Sequence, residues 1–248
     1  MNDSSRKWDE PLRILRAKLA HGENTSQQEL DAIVAEWKPR KKTLREHDSD
    51  EPLGLVDESG RALDLTAERW LCHLLGLRHR CVQVVLTWNN PKLGRVLLLQ
   101  VRSWSKLDSP GHLDVSVGGH VSRTSAVDSL ATAHREMFEE LGLKPDDLDN
   151  NCLDLVDSYG NVDSCDNERF HNAEWRDLYV GEVTTNGFLN CRLIDGEVAG
   201  LYLCPTYELR NFVEQTSIPM TKSLGLFLSH VYPNQIGPHS RTTKTTSA

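Results

Sequence analysis

Residues 118–143 read GGHVSRTSAVDSLATAHREMFEELGL. The pattern predicts a helix over roughly 126–141, stopped by Gly142 with Pro145 just beyond. On that helix Glu136, Glu139 and Glu140 sit at i, i+3 and i+4 and therefore project from one face. Three carboxylates so close repel one another unless a cation is present. They are hard oxygen donors, suited to Mg2+ or Mn2+, and such a helix supplies only part of a coordination shell. Met137, Phe138 and Leu141 offer apolar surface for packing, and Arg135 lies four residues before Glu139, in reach of it. A solvated acidic stripe on an amphipathic helix would show the same EMFEE cluster. Gly118 and Gly119, read as a turn upstream, favour a ligand site, because glycine lets the backbone approach a ligand and take positive φ.

Working outward, CVQVVLTW (81–88) and RVLLLQVR (95–102) predict two β-strands, turned by Asn89, Asn90, Pro91 and Gly94. LDVSV (113–117) predicts a short strand. Further upstream, LGLVDESGRALDL predicts a hairpin turning at Glu58, Ser59 and Gly60. Thr66 is placed to cap a helix with Trp70, Leu71 and Leu74, ended by Gly76. Downstream, DLYVGEV and EVAGLYL predict strands, and YELRNFVEQ and SLGLFLSH predict helices. This mixture predicts an α/β fold with a mixed sheet covered by helices. The pattern predicts a helical extension over residues 1–46: Pro11 is placed to open a first helix with Leu12, Leu15 and Leu19 on one face, and the Ser26/Glu29 capping box to open a second with Leu30, Ile33, Val34 and Trp37. The main domain spans 47–235, and the tail 236–248 is polar.

The formal charge of -8 argues against a broad nucleic-acid surface, which needs clustered Lys and Arg. The one basic run, KPRKK (38–42), reads as a solvated linker face. No apolar stretch approaches a membrane span, and the N-terminus MNDSSRKWDE lacks the apolar run of a signal peptide. Six cysteines are scattered without a CxxC pair, which suits reduced thiols in the cytoplasm.

The segment from Gly119 to Leu143 resembles the Nudix box, the pattern of G, five residues, E, seven residues, then R-E-apolar-x-E-E-x-G-apolar. Gly119 matches the glycine, and Arg135, Glu136, Met137, Glu139, Glu140, Gly142 and Leu143 match the second half. The resemblance implies a metal site at Glu136, Glu139 and Glu140 with Gly119, oriented by Arg135. From Gly119 to Arg135 is 16 residues, two more than in the pattern. The box's first Glu therefore falls at Val127 or Ser125, with Asp128 the nearest acid.

Wider similarity, through GLVDESGR, GLRHRCVQVVL and DGEVAGLYLCPTYEL, points to the Nudix subgroup related to isopentenyl-diphosphate isomerase. There Glu197 stands where relatives carry a further acid near the metals; it reads equally as an edge-strand surface residue. His120 is a candidate substrate contact or an ordinary hydrogen-bonding loop residue. Arg80, within Arg78-His79-Arg80, suits a substrate phosphate or a strand-entry surface. His171, Glu168 and Glu174 form a polar patch, read as a substrate-facing loop, with no metal spacing.

Together these imply a Nudix-type α/β/α sandwich and a metal-dependent hydrolase of a small organic diphosphate, with Mg2+ or Mn2+ as cofactor. Neither a nucleic-acid nor a membrane partner is expected, and a homodimer through the helical extension is compatible with the pattern. Two alternatives stand beside this. The isomerase is disfavoured because Gly118 occupies the place of its proton-transferring cysteine. A non-catalytic Nudix-fold binding module is disfavoured by the complete glutamate set.

Overall fold

In the computed structural model the described residues are 14, 18, 25–44, 48–106, 108–122, 126–165 and 170–232. The helix expected around Pro11, Leu12, Leu15 and Leu19, residues Ser125 and Glu168, the Asp128 side chain and the tail 236–248 lie outside them.

Helix α1 (Gln27–Trp37) passes through a 3-10 turn (Lys38–Arg40) into the short α2 (Lys41–Leu44). Strands β1 (Pro52–Val56) and β2 (Ala62–Glu68) precede α3 (Arg69–Leu75). Next come β3 (His79–Asn90), β4 (Gly94–Arg102), β5 (Leu113–Asp114), β6 (Val117–His120) and α4 (Ala126–Leu141). Strands β7 (Asp154–Cys165) and β8 (Phe170–Val183), α5 (Thr185–Asn190), β9 (Val198–Pro205), α6 (Leu209–Gln215) and α7 (Lys222–Val231) complete the order.

The chain divides into two units. The first comprises the described residues up to Val82, with Gly119–Thr132 and Asp157–Leu178. Its core joins Leu30 and Trp37 of α1 to Leu53, Leu55, Trp70 and Leu71. The Ser26/Glu29 capping box is formed. Next to the cap, Gln27 pairs with the main chain of β2 at both ends: its Nε2 donates to Thr66 O and its Oε1 accepts from Thr66 N, both at 2.9 Å. The amide thus covers polar groups of a strand whose partner is β1. Because Thr66 is committed to β2 in this way, it does not cap α3 as expected. Glu68 stands at the cap without a side-chain bond. The first amides of α3 are met instead by main-chain oxygens, Arg69 N on Glu51 O and Trp70 N on Ser49 O. Gly76 ends the helix at φ 64°, as its position predicts. Within KPRKK, Lys38 bridges Glu68 and Asp50 at about half exposure, a weak surface contact.

The second unit comprises Gln83–Gly118, Ala133–Val156 and the described residues from Tyr179 onward. Strand β4 pairs antiparallel with β3 (Leu86↔Leu98), with β9 (Leu98↔Leu203) and with β5 (Gln100↔Asp114). That makes β4 an interior strand, and Val96 to Leu99 are buried on both faces. This is why it reads as a continuous apolar run. Met137 and Leu141 of α4 are buried as expected, whereas Phe138 is exposed.

Two expectations fail locally. LDVSV is not one strand: β5 ends at Asp114 and β6 starts at Val117. Gly118 and Gly119 lie inside β6 rather than in a turn, and neither has positive φ. Main-chain bonds from Val121 N to Arg80 O and from Gly54 N to Val121 O hold the chain extended just after them.

Candidate active site

Helix α4 places its acids by burying the opposite side. Ala133, Met137 and Leu141 follow one another at i, i+4 and i+8 and are fully buried. Glu140, adjacent to Leu141, is carried inward with them and is only 3% exposed. Gln100 of β4 donates its Nε2 to Glu140 Oε2 at 3.4 Å. Arg135 forks between the other two acids, Nη1 to Glu139 Oε2 and Nη2 to Glu136 Oε1, each at 2.6 Å. The (i, i+4) pairing of Arg135 with Glu139 is the one the spacing predicts.

Burial, then the charges of Glu136 and Glu197, push the Glu140 carboxyl well above the usual range, while Lys106 acts against them. An anion at Glu140 is therefore costly without a compensating cation. Glu197 lies just before β9, half exposed, with its amide on Asp195 Oδ1 at 2.8 Å and its carboxylate on Lys106 Nζ. It is a turn residue rather than an edge-strand one, and its charge reaches Glu140.

The structure thus brings Arg135, Glu136, Glu139, Glu140 and Glu197 into the second unit. Gly119, His120 and Arg80 belong to the first. Arg80 donates Nη2 to Gly60 O at 2.7 Å and its Nη1 lies 3.4 Å from Asp177, so its guanidinium is engaged internally. His120 joins His73 and His79. Among the described residues these three form the one group of His, Cys, Asp or Glu whose ligand atoms all lie within 4.8 Å of one another. The stretch with His171 and Glu174 is strand β8, not a loop, and Glu174 is buried on Arg176.

The family model of the NUDIX domain matches residues 77–224. The chain belongs to the Nudix family. It is 30% identical over 168 residues to "Nudix hydrolase 3" of Arabidopsis thaliana, covering 67% of this chain. The match spans about a fifth (21%) of that relative's own length. Among solved structures, DR0079 from Deinococcus radiodurans has a TM-score of 0.53 at 21% identity, over 73% of this chain and 99% of that one. The NUDIX domain of Shewanella oneidensis NrtR, determined with ADP ribose, has a TM-score of 0.46 at 14% identity, over 62% and 86%. The likeness to DR0079 supports the α/β fold with a mixed sheet for this Nudix chain.

Sequence reasoning missed Gln100, Lys106, His73 and His79. Gln100 had a signal: a lone amide in the apolar strand RVLLLQVR must find a polar partner when buried. Lys106 had none, since its partner stands 91 residues away.

Proposed function

We propose that this Nudix chain is a metal-dependent pyrophosphohydrolase that cleaves a phosphoanhydride bond in a nucleoside diphosphate derivative or a related organic diphosphate. Glu140 carries the proposal: a carboxylate 3% exposed, with Glu136 and Glu197 acting on it electrostatically, is built to be met by a cation. The all-carboxylate donor set fits Mg2+ or Mn2+.

Glu136, Glu139 and Glu140 would hold that ion, which when bound neutralises and orients phosphate oxygens. Arg135 fixes the rotamers of Glu136 and Glu139. Gln100 holds one oxygen of Glu140. A carboxylate of this set, or Glu197, takes the proton of the attacking water as its oxygen bonds to phosphorus and the bridging P–O bond breaks. Glu197 is free for that work only when it parts from Lys106.

The isomerase alternative is disfavoured by Gly118, which carries no side chain to move a proton at carbon. No dimethylallyl diphosphate is expected from isopentenyl diphosphate with added metal, and its detection by mass spectrometry overturns the hydrolase reading. No helix of the described residues is long and apolar enough to cross a membrane. Free thiols at Cys72, Cys81, Cys152, Cys191 and Cys204 support a reducing, cytoplasmic setting. Helix α1 turns Leu30 and Trp37 inward, so a homodimer would need a surface other than that face.

The test is a panel of nucleoside and other organic diphosphates, assayed for phosphate products with Mg2+ or Mn2+. Hydrolysis of at least one class is expected, abolished by EDTA and restored by either metal. Activity that survives thorough chelation removes the metal from the mechanism.

A further inference from the structure

The described tryptophans divide sharply. Trp37, Trp70 and Trp88 are 5%, 0% and 8% exposed, and Trp175 is partly buried. Trp104 is 77% exposed. An indole left in water forgoes the burial that its large apolar surface favours, so its placement needs a reason.

Trp104 lies in the loop between β4 and β5, and that loop is built rather than slack. Gly111 N donates to Arg102 O at 3.1 Å, Lys106 N to Ser103 O at 3.2 Å and His112 N to Ser109 O at 3.3 Å. The Arg102 guanidinium grips the loop: Nη2 donates to Asp108 O and Oδ2, both at 3.0 Å, and Nη1 to Asp114 Oδ2 at 3.2 Å. The indole is held as well. Its six-membered ring lies against Gly111, which is buried, has a φ of 70° and has no room for a Cβ beside the ring carbons. Glycine is needed there twice, for the backbone and for the indole. One side of the ring is seated on main chain while most of its surface stays open.

The same loop is joined to the carboxylate site. Ser103 N donates to Glu197 O at 2.8 Å, and Lys106 pairs with the Glu197 carboxylate. Trp104 stands between these two ties. The charges of Glu197 and Lys106 both act on Glu140, so the loop borders the acids of α4.

We propose that the Trp104 indole is the platform on which the planar base of the substrate stacks, which makes it a specificity-determining residue for nucleoside diphosphate compounds. The inference rests on the hydrolase reading, in which the carboxylates of α4 take the diphosphate end, and it narrows the organic group at the other end. An open, seated π-face suits any nucleobase. An aliphatic chain leaves water only when apolar side chains enclose it. The loop neighbours of Trp104 are instead polar: Ser103 and Ser105, whose hydroxyl oxygens lie 2.9 Å apart, and Asp108. They suit the hydrogen-bonding edge of a base. Seating the ring in advance also lowers the ordering cost of binding.

The experiment titrates the full chain in Ca2+ with ADP, GDP, CDP and UDP, with inorganic pyrophosphate and with isopentenyl diphosphate. Binding is read by calorimetry and by shielding of tryptophan fluorescence from acrylamide. At least one nucleoside diphosphate should bind and shield the exposed indole. Trp104→Ala, checked for folding by circular dichroism, should weaken that binding about 10–100-fold and leave pyrophosphate binding unchanged. Trp104→Phe should keep most of the affinity, while Trp104→Leu should behave like the alanine variant. On a hydrolysed nucleotide, Trp104→Ala should raise KM with kcat within about twofold. Because binding is read without turnover, a chain that stacks nucleoside diphosphates but hydrolyses none sinks the hydrolase reading and supports this one. A wild-type chain that binds no nucleoside diphosphate, or binds isopentenyl diphosphate more tightly than all four, overturns the proposal. So does wild-type affinity in Trp104→Ala, full rescue by Trp104→Leu, or an equal loss of pyrophosphate binding.

Discussion

The carboxylates of α4 and the imidazoles of the first unit both gather ligating side chains, but in opposite electrostatic states. At Glu140 burial and neighbouring acids oppose ionisation, so that group is strained by charge. At His79 and His120 burial suppresses protonation, and the Nε2 atoms of His73 and His79 are buried without a hydrogen-bond partner. The first calls for a hard cation that replaces repulsion with attraction. Partners differ as well. Arg135, a charged side chain, orients two of the glutamates, while Asp48 and the Leu77 carbonyl orient the histidines. The site proposed to bind and release phosphate-bound metal has the first arrangement.

The contrast breaks first at Glu140. Glu140→Gln keeps shape and helix propensity but removes the buried charge. Turnover on a verified substrate should fall at least about a hundredfold, equivalent to roughly 3 kcal/mol in the transition state. Wild-type turnover in this variant would reduce the glutamates to a surface stripe. Asp48→Asn addresses the other cluster, loosening the anchor of His73. The chain should lose about 1–3 kcal/mol of stability in urea titrations, with Mg2+ dependence of turnover unaltered. Unchanged stability would mean that the anchor contributes nothing to the packing of the ring.

A smaller effect tests the charge strain itself. The Glu140 carboxyl is raised in the fold, so the folded state binds the proton more tightly than the unfolded chain. That preference stabilises the metal-free protein most below the ordinary value of 4.5 and is lost as pH rises through the raised one. Glu140→Gln should therefore be more stable than the metal-free wild type at neutral pH. The repulsion between residues at i and i+4 alone accounts for ~0.2–0.5 kcal/mol, and the advantage should shrink as pH falls toward 4.5 in urea titrations. A gain independent of pH would assign the effect to packing. The smallest change belongs to Asp146→Asn, on the exposed turn after α4, which should leave turnover within about twofold.

Legibility in the sequence followed the range of the interactions. The bounds of α4, the Ser26/Glu29 box and the Gly76 stop depend on neighbours within four residues, and each is found as the pattern predicts. Strand β7 went unread because its sequence, DLVDSYGNVDSC, has little strand propensity; it is held by pairing with β8. Gly118 and Gly119 misled because glycine permits a turn without requiring one, and hydrogen bonds from distant strands keep that stretch extended.

The sequence by itself determined the family and the glutamate face. A helix converts spacing directly into direction, and Glu136, Glu139 and Glu140 need only the helical repeat to share a side. Only the tertiary structure decided which of the three is buried, that Gln100 lies against it, and that Lys106 is tied to Glu197. It alone joined His73, His79 and His120, which come from a helix and two strands. No local repeat relates residues 73, 79 and 120, so their meeting is a property of packing, not of pattern.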